Sequence, residues 1–336
     1  MVPREYLAVA FAVVIFLLVQ LGALALVPGF FESGYQAVEN PDNPAISFLY
    51  LGVILVATAL MLVAFKYDLD RVVRWFILFA SGMLAWYVFS VLVPPVFALI
   101  PAVVVVLGLL YHPEWYVIDV TGVVMGAGAA ALFGISFGLL PCILLLTALA
   151  VYDAISVYGT EHMLSLAEGV MDLRIPVILV VPLSLSYSLL DDDFAGPEDG
   201  GPEPIADGSN DRPSSERETA DSSLPPGEDG EDEPPQRDAF FIGLGDAVMP
   251  AIMVASAAFF SPAPTYDVPL IAVNLPAIGA MVGTLLGLLV LLRWVMRGRA
   301  HAGLPLLNGG AIGGYLLASL AAGVTLAEAL GVAGFF

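Results

Sequence analysis

The sequence predicts an all-α polytopic membrane protein with about nine transmembrane helices, a cytoplasmic N-terminus and a C-terminus outside. Its composition excludes an ordinary soluble globular protein, because 59% of the 336 residues are apolar and the mean hydropathy is +0.90. The placement of the eleven Lys and Arg residues indicates the orientation. The single cysteine, Cys142, excludes an internal disulfide and a cysteine metal cluster.

Nine apolar segments are long enough to cross a bilayer, whose core of about 30 Å needs about 20 helical residues. The first segment follows Arg4 and Glu5 in the manner of a signal peptide. It is too long for one and no clear small-residue cleavage site follows, so we interpret it as the first membrane helix. Proline, glycine and charged residues separate the segments, and the first break is expected at Pro28. The predicted spans are 6–27, 45–65, 72–92, 94–111, 115–136, 139–158, 239–260, 269–292 and 304–324.

The basic residues test this number of spans. With nine spans, every Lys and Arg falls on the same side of the membrane. Residues in long loops carry little weight in this rule, so those close to the spans decide the orientation. These are Arg4, Lys66, Arg71, Arg74, Arg293, Arg297 and Arg299. Their side is cytoplasmic, which places the N-terminus inside.

The chain divides into four parts. Residues 1–158 form a six-span N-terminal part, and 239–336 form a three-span C-terminal part. Residues 191–238 hold more than half of the 32 acidic residues and few large apolar ones, which predicts a disordered cytoplasmic loop. Residues 159–190 form an interfacial segment, in which Ile175–Leu190 is too short and too rich in proline to cross the bilayer. We expect this piece to lie at the cytoplasmic interface in an extended conformation.

Three aspartates, Asp119, Asp153 and Asp246, lie within predicted spans. A charged side chain in the bilayer costs about 2.5–3.5 kcal/mol on insertion scales, so such a residue usually has a function. Asp153 and Asp246 lie on antiparallel spans at a similar depth, roughly 9–12 Å below the cytoplasmic surface at 1.5 Å per residue. Two carboxylates facing each other there would share one proton and could activate a water for attack on a carbonyl carbon. Asp119 lies close to Glu114 and is interpreted as structural.

Small residues accompany the second aspartate. Gly243 and Gly245 precede Asp246 and would let another backbone approach closely. Pro250 follows one turn later and frees a backbone carbonyl on this helix.

Tyr152 either packs against its neighbours or orients the adjacent Asp153, and the sequence leaves both roles open. The three histidines, His112, His162 and His301, have no metal-binding spacing, so no metal and no cofactor is expected.

These residues resemble the motifs of a known family. Tyr152-Asp153 and Gly243-Leu244-Gly245-Asp246 resemble the YD and GxGD motifs of presenilin and signal peptide peptidase, the GxGD intramembrane aspartyl proteases. The family's third motif, Pro-Ala-Leu, falls at Ala302-Gly303-Leu304, which is followed by Pro305. Leu304 and Pro305 match the family pattern. Ala302 stands in place of the first proline and Gly303 in place of the alanine, so the third motif departs from the pattern at two positions.

The resemblance implies an archaeal-type presenilin homologue in the cell membrane, an aspartic endopeptidase that cleaves within transmembrane segments. It implies Asp153 and Asp246 as the catalytic pair. The supporting or substrate-binding residues would be Tyr152, Gly243, Leu244, Gly245, Gly303, Leu304 and Pro305. The partners would be transmembrane helices of substrate proteins and the lipid bilayer, with no nucleic acid; a homo-oligomer stays open. An unwound substrate could add to a strand edge in Ile175–Leu190.

Two other functions remain open at this point. A prepilin-type peptidase also uses a GxGD aspartate, although its first aspartate has a different context. A proton-coupled transporter could use Asp153 and Asp246 to bind protons or cations, and broken, proline-rich helices suit that function too. No inverted repeat is visible, because the first four spans have no counterpart of the acidic pair.

Overall fold

The computed structural model describes residues 4–67, 69–159, 178–183, 187–189, 239–296 and 302–333. The predicted acidic loop 191–238 lies outside these residues, as does most of the predicted interfacial segment 159–190. The positions of His162, His301, Arg297 and Arg299 also fall outside them.

The chain is an all-α polytopic membrane protein, as predicted. Its helices are α1 (Arg4–Glu32), α2 (Ala45–Lys66), α3 (Asp70–Leu92), α4 (Pro95–Tyr111), α5 (Trp115–Ser136), α6 (Leu139–Gly159), α7 (Leu244–Phe260), α8 (Leu275–Val295), α9 (Gly303–Ala321) and the short α10 (Leu326–Ala329). Within the described ranges, seven helices are long and apolar enough to cross a membrane. Helices α4 and α7 are apolar but shorter, with 17 residues each. The nine-span count and the orientation stay predictions.

The break predicted at Pro28 is wrong, because α1 continues through this proline to Glu32. Gly34 sets the end of the helix instead. It has a φ of 72°, and the N–H groups of Gly34 and Tyr35 donate to the carbonyls of Phe31 and Phe30. This is the Schellman arrangement, in which a glycine in the left-handed conformation satisfies the last carbonyls of a helix.

Two predicted spans begin later than expected. Residues Ala239–Gly243, assigned to span seven, form strand β2, and α7 begins at Leu244. The predicted start of span eight at residue 269 falls in a hairpin of β3 (Thr265–Val268) and β4 (Ile271–Asn274). Both stretches are rich in aromatic and β-branched residues, which favour strands when a partner strand is available. Periodicity alone does not separate such short apolar runs from the start of a helix.

The partner of β2 is β1 (Ile178–Pro182), which lies within the piece expected to be extended. The two strands are antiparallel, with Ile178 opposite Gly243 and Pro182 opposite Ala239. The sheet therefore ends at Gly243, the residue before α7 and three residues before Asp246.

Helix α7 forms the centre of the bundle. Every residue from Pro250 to Ala258 is buried, which is expected of a helix that other helices surround on all sides. Small side chains allow this close packing: a Cβ at Gly134 of α5 would overlap with Ala255 of α7. The first turn of α7, which carries Asp246, is therefore part of a helix that its neighbours hold in place.

Helices α8 and α9 approach each other closely along a line of glycines. A Cβ at Gly283 would overlap with the carbonyl oxygen of Gly310, and one at Gly279 would overlap with that of Gly314. Gly287 lies in the same way against the carbonyl of Leu306. Four-residue spacing of small residues is a common contact between membrane helices, since it lets two backbones touch. This contact fixes the position of α9, whose first turn carries Gly303 and Leu304.

Candidate active site

Asp153 lies on α6, and its side chain is 6% exposed. Its Oδ2 accepts a hydrogen bond from the backbone N–H of Leu304 at 3.0 Å. Leu304 belongs to the first turn of α9, where the N–H groups have no acceptor within their own helix. The carboxylate of Asp153 therefore satisfies one of these donors and lies at the positive end of the α9 dipole.

Asp246 lies in the first turn of α7, three residues after the N-cap Gly243, and is half-buried. Helix N-termini favour negative charge, because the unpaired N–H groups and the helix dipole point towards it. Pro250 has no N–H and so cannot donate to the carbonyl of Asp246, its partner one turn earlier. The chain enters this turn from strand β2, so Asp246 lies at the start of a helix and not in its middle.

The structure brings the two aspartates to consecutive residues of α9. A Cβ built on Gly303 would lie 3.4 Å from Asp246 Oδ1 and 3.5 Å from Asp246 Oδ2. The next residue, Leu304, donates its N–H to Asp153. The two carboxylates and the first turn of α9 thus form one site.

The glycines before Asp246 have different surroundings. A Cβ on Gly243 would lie 3.4 Å from Asp246 Oδ2, whereas one on Gly245 would have no atom within 4 Å. Gly243 therefore lies against the carboxylate, and the surface beside Gly245 is open. Leu244, between them, packs against Gly122 and Gly126 of α5.

The remaining predicted site residues lie at the edge of this arrangement. Tyr152 is 39% exposed on α6, beside Asp153. Pro305 lies in the first turn of α9, a position where the missing N–H breaks no helical hydrogen bond. Among the described residues, no group of three or more His, Cys, Asp or Glu could hold a metal ion.

Sequence reasoning missed several contacts that support the site. Asn308 on α9 is buried, and its Nδ2 donates to the carbonyl of Leu146 on α6 at 3.0 Å. Asp119, interpreted as structural, is 4% exposed and accepts a hydrogen bond from the N–H of Val180 in β1. The β-branched run in 178–181 was a usable signal for the strand. Nothing in the sequence indicated which side chains bind it.

A membrane-embedded aspartyl protease needs two aspartates that meet within a bundle of helices, and this chain has that arrangement. The chain belongs to the family described as signal-peptide peptidase, presenilin aspartyl protease, whose model matches residues 13–324. Members of this family are intramembrane aspartyl proteases, so the chain is an aspartic endopeptidase. This match favours the presenilin interpretation over the prepilin-type peptidase and the transporter.

Two solved structures are similar to this chain. One is a presenilin family intramembrane aspartate protease in space group C222, with 32% identity, a TM-score of 0.62, and coverage of 93% of this chain and 99% of that chain. The other is a presenilin family intramembrane aspartate protease in space group P2, with 32% identity, a TM-score of 0.59, and coverage of 92% and 96%. The comparison with curated proteins gives no match.

Proposed function

We propose that this protein hydrolyses peptide bonds within transmembrane segments of membrane proteins or remnant signal peptides, using Asp153 and Asp246 to activate a water molecule. The observation that supports this proposal is the position of both aspartates at the first turn of α9: Asp153 accepts the N–H of Leu304, and Asp246 lies beside Gly303. Because Gly303 and Leu304 are consecutive residues, both carboxylates lie beside the same turn of α9. A catalytic pair needs such positioning, because it must act on the same water and the same carbonyl.

The chemistry follows from the like charges of the pair. Two adjacent carboxylates in a region of low dielectric hold one proton between them. The ionised member takes a proton from water, and the water oxygen forms a bond to the carbonyl carbon. The protonated member donates to the carbonyl oxygen, which gives a tetrahedral diol. When this intermediate collapses, the aspartate that took the proton from water gives it to the amide nitrogen, the other aspartate takes a proton from a diol hydroxyl, and the C–N bond breaks.

The substrate must lose its helical hydrogen bonds before water can attack it. The sheet of β1 and β2 supports recognition of an extended segment, since it ends at Gly243, close to Asp246. Replacing Ile175–Val181 with glycine and serine should therefore abolish cleavage. Retained cleavage in that variant would remove this part of the proposal.

The test of the catalytic pair uses Asp153→Ala and Asp246→Ala, with a transmembrane helix in lipid vesicles as the substrate. Each variant should lose cleavage while keeping the fold of the wild type and its thermal unfolding temperature in detergent. Glu39→Ala is the matched control, because Glu39 is an exposed carboxylate in the connection between α1 and α2. A hydroxyethyl transition-state analogue should bind the wild type. Undiminished proteolysis in either aspartate variant would contradict the proposal.

The location and assembly form part of the same proposal. The apolar helices place the protein in a membrane, and we assign it to the cell membrane as a multi-pass protein. In the nine-span prediction all basic residues fall on one side of the membrane, which supports a cytoplasmic N-terminus. This orientation would put Asp153 and Asp246 near the cytoplasmic face. Size measurement in lipid nanodiscs distinguishes a monomer from a homo-oligomer.

A further inference from the structure

The hairpin of β3 and β4 joins α7 to α8 at the end of α7 that lies away from Asp246. Its base is bound to both helices through Asn274, the last residue of β4. The side chain of Asn274 donates to the carbonyl of Ala257 on α7 at 2.9 Å and accepts the N–H of Ala277 on α8 at 2.9 Å. The position of the hairpin is therefore linked to the adjoining ends of α7 and α8.

The turn of this hairpin holds a leucine in an unfavourable conformation. Pro269 and Leu270 form the turn, and Leu270 is the one non-glycine residue with a positive φ, 70°, in the described part of the chain. A proline followed by a positive φ is the pattern of a type II turn, whose second position selects glycine or asparagine. Leucine costs free energy there, because its Cβ comes too close to the following carbonyl oxygen. A strained residue of this kind points to a function for its side chain.

The side chain of Leu270 is 88% exposed, the highest value for a large apolar side chain among the described residues. Tyr266 and Val268 on β3 are also exposed, at 47% and 42%. Single exposed leucines are common at protein surfaces. Here, however, three apolar side chains are exposed on one hairpin, and glycine at position 270 would remove both the strain and the exposed apolar surface. Water around the tip therefore does not account for the leucine.

The exposed side chains continue a surface that is buried elsewhere in the hairpin. Tyr266 is paired with Val273, and Val268 with Ile271, and directly paired residues have their side chains on the same face of a sheet. Val273 is buried, and Ile271 packs against the large apolar cluster to which α1 and α7 contribute. Protein thus covers the half of this face on β4. The half on β3 remains exposed and leads to Leu270.

The length of α8 places the hairpin at the boundary of the membrane. Its 21 residues span about 31 Å, close to the hydrocarbon core of about 30 Å, so Leu275 lies near one boundary of that core. Asn274 directly precedes it. A strand of four residues spans about 13 Å, so a hairpin inclined along the bilayer surface keeps its tip in the headgroup region. Tyrosine among apolar neighbours, as at Tyr266, is typical of this region.

We propose that the tip of the β3–β4 hairpin is a lipid anchor, in which Leu270, with Tyr266 and Val268, inserts into the interfacial region of the leaflet at the end of α7 away from Asp246. Contact with lipid offsets the strain of Leu270 and covers the exposed half of the hairpin face. Through Asn274 the anchor holds the adjoining ends of α7 and α8 at the membrane boundary. This lipid-binding surface lies outside the helices and does not depend on the proposed proteolysis.

The test measures lipid contact at single labelled cysteines in the full-length protein. Leu270→Cys, Val268→Cys and Asn40→Cys are each labelled with an environment-sensitive fluorophore and reconstituted in phosphatidylcholine nanodiscs, in which both membrane faces are accessible. The wild type is the labelling blank, because Cys142 is fully buried.

The control at Asn40 tests a position at the same end of the bundle. Asn40 is an exposed residue in the connection that follows α1, and the end of α1 lies beside that of α7, since Phe31 contacts Phe259. Its polar surroundings predict contact with water. Differences between this label and one on the hairpin therefore report on the hairpin tip.

A lipid with a nitroxide near the top of its acyl chain should quench the label at position 270 at least about threefold more than the label at position 40, since interfacial apolar residues reach the boundary of headgroups and acyl chains. Aqueous iodide should show the reverse preference. Position 268 should resemble 270. If the hairpin stands up in water, position 270 is furthest from lipid and is quenched least by the nitroxide. That order overturns the proposal, and so does quenching of position 270 by neither reagent, which would mean that protein covers the tip.

Two further variants test the leucine itself, with the label kept at Val268→Cys. Leu270→Asp places a carboxylate at the tip, which is costly to insert into lipid, so nitroxide quenching at position 268 should fall to the level at position 40. Leu270→Met keeps an apolar side chain of similar volume and should retain the quenching. Both changes are at an exposed side chain, so the fold should persist. Equal quenching in the two variants would show that residue 270 does not hold the hairpin on lipid, and the proposal would be overturned.

Discussion

The backbone N–H of Leu304 donates a hydrogen bond to Asp153 Oδ2 at 3.0 Å, although 151 residues separate the two in sequence. One turn further along α9, the Asn308 side chain donates to the carbonyl of Leu146 on α6. Two hydrogen bonds at different levels therefore tie α9 to the helix that carries Asp153. The departures from the family pattern at Ala302 and Gly303 leave the backbone donor unaffected, because an N–H is independent of the side chain.

Leu304→Pro removes this donor. The first turn of a helix tolerates proline, so α9 should form. A hydrogen bond to a charged group is worth about 1.5–3 kcal/mol, and its loss should lower kcat roughly 10- to 100-fold. Initial rates of cleavage of a membrane helix provide the measurement. Leu304→Ala, which keeps the N–H, is the control, and equal rates in the two variants would show that the hydrogen bond has no role in catalysis.

Much of this arrangement could be predicted from the sequence, because the cost of an aspartate in a membrane helix marks Asp119, Asp153 and Asp246, and similar depth then pairs the last two. Hydropathy indicates where the helices lie, since each span carries its own signal. Helix ends that depend on distant partners could not be found in this way. Residues 239–243 become a strand only because β1 lies beside them. The bond from Val180 to Asp119 links parts of the chain whose proximity no local pattern reveals.

Gly303→Ala should retain activity within about threefold. The added Cβ would lie 3.4–3.5 Å from the Asp246 oxygens and from Leu291 Cδ2, which is ordinary van der Waals contact and restores the alanine of the family pattern. Gly303→Val adds two further methyl groups where the carboxylate lies. Overpacking costs about 1–3 kcal/mol, so the valine variant should lose cleavage at least about tenfold. Steady-state kinetics of both variants test whether the alanine variant is more active than the valine variant. An inactive alanine variant would contradict this expectation.

Gly245→Ala separates stability from substrate contact. Nothing lies within 4 Å of a Cβ at this position, and alanine favours the helix over glycine by up to about 1 kcal/mol. The thermal unfolding temperature should therefore stay equal or rise. If the substrate backbone approaches this open surface beside Asp246, KM should increase several-fold. An unchanged KM would exclude Gly245 from the substrate path.

Adjacent glycines on α9 provide a matched pair for the contact between α8 and α9. A Cβ at Gly310 would overlap with the carbonyl oxygen of Gly283, so Gly310→Ala should force the helices apart and cost about 1–3 kcal/mol of stability. A Cβ at Gly309 would meet no atom within 4 Å, and Gly309→Ala should be neutral or stabilising. Thermal unfolding in detergent measures both. Equal stability of the two variants would show that the glycine contact does not hold α9 in place.

Deletion of residues 191–236 should leave cleavage unchanged, because their composition predicts a disordered connection with no part in the site. The described residues on the two sides of the deletion belong together: Leu189 and Ala239 pack in the same apolar cluster, and Pro182 lies opposite Ala239 in the sheet. The bonds from Glu114 to Ser188 and Leu189 precede the deletion and would remain. The closing entropy of a loop changes only slowly with its length, so the shortened chain should fold. The same products at the same rate are expected from the deleted and the full-length protein. A changed cleavage position, with the folded state intact, would instead mean that the loop contributes to the site.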